Sequence, residues 1–472
     1  MSRAVFASSA RLPGGWARDV TFAIDEAGSL ASVTADSRPA PDAERAAGPV
    51  VPGQPNLHSH AFQRAMAGLA ERVGRAGAGG KGGSGEGGGA NDSFWAWRET
   101  MYRFLPHLGP DELEAVAAQL YVEMLEAGYV GVGEFHYLHH DPAGAAYADP
   151  AEMALRLIAA ARATGIGLTL LPVLYGYGGF GGQPAGEGQR RFLNAPDALL
   201  AVVERAIREL AGDPQGRVGL APHSLRAVTP ETLRDGLAGL AALDPRAPVH
   251  IHVAEQTKEV EDCLAWSGRR PVRWLLDEAG PDARWCLVHA THMTADETRD
   301  LAASGAVAGL CPTTEANLGD GFFPAPDYLA AGGAWGIGSD SHISVDPVEE
   351  LRWLEYGQRL LLRRRNVLAG ASGHLGEDLW LASAAGGARA LGRPTGRLAP
   401  GCRADLVVLD SESPCLAGRE GAALLDAAVF AGNRRPLRDV MVGGRWCVRE
   451  GRHLAREAVR AGFDAAMARL TA

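Results

Sequence analysis

Short apolar runs alternate with amphipathic stretches through most of this chain. Runs that read as buried strands are Val50–Leu57, Val130–Tyr137, Ile166–Leu174, Val218–Pro222, Val249–Val253, Trp285–Ala290, Ala306–Cys311 and Ala334–Ser339. Between them, apolar residues recurring every three or four positions predict helices. The clear cases are Asp111–Ala127, Ala151–Ala163, Asp197–Leu210, Pro230–Leu243, Ala295–Ala303 and Pro347–Leu362. Several begin at or just after Asp, Thr or Pro, as helix N-termini do. Strands and helices alternating in this way predict a (β/α)8 barrel over residues 51–396.

The two ends have a different pattern. Residues 1–50 and 397–450 hold short apolar strands separated by turns, among them Ala4–Phe6, Val20–Ala23, Leu30–Val33, Ala404–Leu409, Asp426–Phe430 and Asp439–Val442. They predict a small composite β-sandwich beside the barrel. A last helix is expected at Leu454–Leu470, within 451–472. Gly74–Gly89 is almost entirely glycine with small and charged residues; it cannot build a core and reads as a surface insertion after the first strand.

Composition narrows the class. The chain has 472 residues and 46% hydrophobic content, enough for a large core and an accessory domain. A net charge of -10 argues against nucleic acid or an anionic membrane as partner. The one dense basic run, Arg363-Arg364-Arg365, follows Leu360-Leu361-Leu362 and reads as a solvated helix end. Six scattered cysteines without a CxxC pair predict reduced thiols in a cytoplasmic protein. The N-terminal run lacks a signal-peptide core, and no stretch reaches the roughly 20 apolar residues of a membrane span.

The chemistry sits where the apolar runs end, which in such a barrel is the active-site face. His58 and His60 end the first strand at i and i+2, so their side chains share one face. His252 closes the fifth strand. His250 has the same parity and is the alternative there; His252 is preferred because Glu255 follows three residues later, past the strand end. His289 ends the sixth strand and Asp340 the eighth, in Gly-Ile-Gly-Ser-Asp-Ser-His. Three imidazoles, a carboxylate and water suit Zn2+, with Fe2+ as the rival.

With this pattern in hand, the whole chain resembles the amidohydrolase superfamily. Members with two metals bridge them through a lysine on the fourth strand. The only lysines here are Lys81 and Lys258, and the fourth strand reads Val218-Gly-Leu-Ala-Pro-His-Ser, which points to one metal. The His252-x-x-Glu255 pair resembles the deaminase branch.

Four local runs narrow the resemblance. Asn56-Leu-His-Ser-His-Ala-Phe-Gln63-Arg-Ala, Phe94-Trp-Ala-Trp-Arg98, Glu134-Phe-His-Tyr137 and Ala221-Pro-His223-Ser-Leu-Arg226 resemble the N-formimino-L-glutamate deiminase family of histidine degradation. The resemblance implies metal ligation by His58, His60, His252 and Asp340. Asp340 would also accept the proton of the attacking water, His289 would position that water, and Glu255 would carry a proton to the leaving nitrogen. The substrate would be a small dianion derived from an amino acid, and arginine suits its carboxylates. Taken alone, Arg226 reads as a surface helix-start residue and Arg98 as part of an exposed helix. The resemblance instead makes both carboxylate ligands, with Gln63, Tyr137 and His223 as further contacts. A homodimer is common among such relatives. The competing expectations are a deaminase of a base such as guanine or cytosine, and a catalytically inactive scaffold, which the complete ligand set disfavours.

Overall fold

The computed structural model describes residues 3–69, 71, 101–102 and 104–471. The expectations for Gly74–Gly89 and for Arg98 lie outside the described residues.

Eight strand positions form the centre of the molecule. They are Gln54–Ser59, Tyr129–His136, Gly167–Leu174, the pair Gly216–Val218 and Ala221–Pro222, Val249–Val253, Trp285–His289, Val307–Leu310 and Ala334–Ile337. The first four positions form one parallel sheet and the last four another. Isolated parallel bridges join their edges at both seams, Leu220 with Val249 and Ser224 with His252 on one side, Ser59 with Asp340 on the other. This is a (β/α)8 barrel. Tyr129–His136 and Gly167–Leu174 are buried at every position, the pattern of parallel strands covered by helices outside and side chains within.

The predicted helices form within a few residues of their expected limits. Pro230–Leu243 and Ala295–Ser304 start at Thr229 and Thr294, whose hydroxyls accept the backbone N–H three residues on. A further helix, Leu375–Ala390, packs against the first and eighth barrel strands. Its Gly386 lies so close to Trp335 that a Cβ would meet the Trp335 carbonyl oxygen, so only glycine fits there.

Both chain ends build a single nine-stranded sheet. Val50–Pro52 is its junction: it runs parallel to Arg3–Leu12 on one side and antiparallel to Leu406–Leu409 on the other. One face of this sheet shares a core of Val5, Phe22, Val50, Leu406 and Met441. The other face, with Val51, Val407 and Val440, joins the barrel's core.

Two expectations change. The apolar run Val50–Leu57 is two strands, Val50–Pro52 in the outer sheet and Gln54–Ser59 in the barrel. The break is at Gly53, where a Cβ would collide with the Val130 side chain. Asp426–Phe430, expected as a strand, belongs to the helix Ala423–Phe430. Apart from Asp426 that run is apolar and rich in alanine and leucine, so periodicity is silent and helix propensity decides. Arg363 ends the helix Pro347–Leu362 in a left-handed conformation, and the three arginines are exposed.

Candidate active site

His58 and His60 come off the first barrel strand on the same side, and both are buried. Their Nε2 atoms are 3.1 Å apart, and His252 Nε2 is 3.0 Å from His58 Nε2. Asp340 Oδ1 lies 3.5 Å from His58 Nε2 and 3.3 Å from His60 Nε2. A tetrahedral ion with ligand distances of roughly 2.0–2.1 Å needs donors about 3.3 Å apart, which these spacings match.

The tautomers make the same point. His60 Nδ1 donates to the Phe135 carbonyl at 2.9 Å and His252 Nδ1 to the His223 carbonyl at 3.0 Å. Carbonyls only accept, so those protons sit on Nδ1. Burial, reinforced by the neighbouring imidazoles, holds His58 and His252 well below the usual histidine range, and burial lowers His60. Neutral rings therefore turn Nε2 lone pairs toward one another. Such a cluster wants a cation, and these four residues fit a single divalent one.

His252 and His250 point in different directions, and it is His252 that turns Nε2 to the cluster. His250 Nε2 instead donates to the Ala390 carbonyl at 2.8 Å and is not part of this cluster.

Glu255 is placed by a sharp turn after the fifth strand. Ala254 has φ 51°, and the Glu259 carboxylate accepts the N–H groups of Ala254 and Glu255 at 3.1 and 3.3 Å. The Glu255 Oε1 lies 3.8 Å from His289 Nε2. Burial pushes the Glu255 carboxyl up to about 7, although His289 and Arg226 pull the other way. For His289 burial opposes the charge, but Glu255, Glu315 and Asp340 outweigh it and raise the imidazole to about 10. Left-handed backbone recurs around this mouth: Ala254, His289, Ala290, Asp340 and His342 all have φ between 45° and 68°. Such residues cost of order 1–3 kcal/mol each and persist where the surroundings force them.

Beneath the cluster lies a buried polar layer. Glu134 accepts from Ser59 Oγ and the Ala61 N–H, both at 2.7 Å, and from the Tyr121 hydroxyl at 3.3 Å. His342 Nε2 accepts the His60 N–H at 3.2 Å.

A pocket opens above. Gln63, Tyr137, His223 and Arg226 all line it together with His60, His252, Glu255, His289 and Asp340. Gln63 Nε2 donates to the Tyr137 hydroxyl at 2.7 Å, leaving Gln63 Oε1 without a partner among the described residues. Arg226 Nε is likewise buried and unpartnered among them. Sequence reasoning missed Tyr102, Tyr175 and Phe192 on the pocket wall, and Glu315 beside His289. Tyr175 and Phe192 come from a loop and a turn, which have no periodicity to mark them. Glu315 sits four residues after Cys311 in a seven-residue helix too short to show a face.

Comparison with known proteins agrees with the geometry. Residues 50–447 match the model of the amidohydrolase family, and residues 2–47 match that of the N-terminal domain of formimidoylglutamate deiminase HutF. A formimidoylglutamate deiminase of Pseudomonas aeruginosa is 58% identical over 457 residues, covering 96% of each chain. The 8-oxoguanine deaminase of the same organism is 30% identical over 85% of this chain and 82% of its own. Among solved structures, an amidohydrolase from Brucella melitensis superposes with a TM-score of 0.90 at 49% identity over the full length of both chains. An adenosine deaminase from Xanthomonas campestris with bound zinc shares the fold, with a TM-score of 0.78 at 20% identity over 99% of this chain and 98% of its own. The chain belongs to the amidohydrolase superfamily and, within it, to the formimidoylglutamate deiminases.

Proposed function

We propose that this protein hydrolyses N-formimino-L-glutamate to N-formyl-L-glutamate and ammonia. The observation that carries the reading is one pocket in which the His58–His60–His252–Asp340 cluster, the Glu255–His289 pair and the Arg226 guanidinium all meet. The name of the Pseudomonas relative supports the substrate.

The four clustered residues would hold one Zn2+ per chain, Fe2+ being the alternative, and a divalent ion there supplies Lewis acidity that makes water a nucleophile near neutral pH. Asp340 takes the proton of the attacking water, and His289 holds that water against the formimino carbon. The water oxygen bonds to this carbon while the C=N bond becomes single. Glu255 hands its proton to the former imino nitrogen. The proton held by Asp340 passes to the same nitrogen, the C–N bond breaks and ammonia leaves; the new hydroxyl returns its proton to Glu255, and the carbon keeps the oxygen as a formyl group. Arg226 and Arg98 bind the two carboxylates, with Gln63, Tyr137 and His223 fixing orientation.

Among the described residues, no helix is long and apolar enough to cross a membrane. We place the enzyme in the cytoplasm and as a homodimer. The helix Pro347–Leu362 supports a self-association surface, with Trp353, Tyr356, Leu360 and Leu361 at 45%, 38%, 74% and 53% exposure. Sedimentation analysis checks the dimer.

The function is tested with purified, zinc-loaded protein and a substrate panel read by ammonia release. N-formimino-L-glutamate should have by far the highest kcat/KM. Faster turnover of guanine, cytosine or adenosine overturns the reading.

A further inference from the structure

One carboxylate beside the reacting groups has no part in the scheme above. Glu315 lies on the short helix Pro312–Leu318, directly after the seventh barrel strand, and is buried. Its Oε1 is 3.2 Å from His289 Nδ1 and accepts the backbone N–H of Cys311 at 2.9 Å. Its own carbonyl accepts the Asp320 N–H at 2.9 Å. Side chain and main chain are thus both pinned. On its other side, Glu255 Oε1 and Asp340 Oδ2 each lie 3.8 Å from His289 Nε2, beyond hydrogen-bond reach. Among the described residues, the Nδ1 contact is therefore the hydrogen bond that orients the ring.

We infer that Glu315 is a positioning residue: it keeps a proton on His289 Nδ1 and aims Nε2 into the space between Glu255 and Asp340. A carboxylate can only accept, so the proton in the shared bond belongs to the imidazole. A histidine whose second nitrogen is held this way keeps one tautomer and one ring orientation. The inference rests on the proposed function only in giving His289 the water to hold.

The test compares two buried carboxylates that accept neighbouring backbone N–H groups, those of Cys311 and Thr313. Glu315→Gln keeps an acceptor of the same shape and removes the charge. Glu350→Gln is the control, because Glu350 accepts from the N–H and hydroxyl of Thr313, at 2.9 and 2.5 Å, and touches no reacting group. Glu315→Gln should lower kcat on N-formimino-L-glutamate by about 10–100-fold, with KM within about twofold and the zinc content unchanged. Glu350→Gln should lower the melting temperature and leave kcat near the parent value. A kcat for Glu315→Gln within threefold of the parent overturns the inference, as does an equal loss in Glu350→Gln. A second arm needs no substrate. In 15N-histidine spectra of the metal-free protein, the His289 signal is assigned by its disappearance in His289→Asn. It should show protonated Nδ1 in the parent and lose that signature in Glu315→Leu. An unchanged signature overturns the positioning role. Absent turnover of formiminoglutamate by the parent protein refutes the functional reading alone.

Discussion

Asn56 and Ser339 lock the first barrel strand to the last. Asn56 Nδ2 donates to Ser339 Oγ at 2.6 Å, while Asn56 Oδ1 accepts the Ser339 N–H at 3.1 Å and the His58 N–H at 3.3 Å. One amide thus spans the seam and fixes the backbone of a candidate metal ligand. Asn56→Ala strands these buried donors, at about 1–3 kcal/mol for each group left unsatisfied. It should lower the melting temperature and the zinc content together. A fully metallated variant with the parent's melting temperature contradicts this account.

Glu255→Gln should retain zinc and lose about 10²–10⁴-fold in kcat, the range of a general acid–base step. In the proposed scheme Glu255 donates its proton, so its acid form would be the working one. With the carboxyl held at about 7, kcat should fall as pH rises past that value. A pH–rate profile checks this, and the falling limb should vanish in the glutamine variant.

Arg226 discriminates charge matching from bidentate geometry. Arg226→Lys keeps a cation and discards the planar fork that suits a carboxylate. The expected result is a kcat/KM on formiminoglutamate lower by about 10²-fold, mostly through KM, with Arg226→Met worse still. Steady-state kinetics on both variants decide it.

Glu134 gives a stability prediction with a definite sign. Burial, only partly offset by hydrogen bonds from Ala61, Ser59 and Tyr121, raises its carboxyl from 4.5 to about 7. Between those values the folded chain binds more protons than the unfolded one, so its contribution to stability falls as pH rises through that window. The gap corresponds to about 3 kcal/mol. Urea unfolding from pH 4.5 to 7 should show this decline in the parent and a flatter dependence in Glu134→Gln.

Chelation should abolish turnover and lower the melting temperature, since His58, His60, His252 and Asp340 are then left crowded around one point without a cation. Added zinc should restore both, by calorimetry and ammonia release.

Much of this was legible in the residue order. Fully buried parallel strands are continuous apolar runs, so the barrel announces itself, and polar residues that end such runs fall on one rim. Hence His58, His60, His252, His289 and Asp340 could be picked out singly. Choosing His252 over His250 by parity alone was impossible, because both point inward; depth along the barrel axis separates them, and only Glu255 hinted at it. Glu315, Tyr175 and Phe192 left no trace, since a seven-residue helix and the loops after strands show no period. The break at Gly53 was hidden for the opposite reason. Strands in two different sheets, placed end to end, make one unbroken apolar run.

That break has a practical consequence. Val50–Pro52 is clamped between strands from opposite ends of the polypeptide, and six residues beyond it stands His58. The segment that delivers the first imidazole therefore has its root in masonry laid by both termini. Trimming the last hundred residues to isolate a minimal hydrolase would pull away one side of that footing and set the histidine adrift.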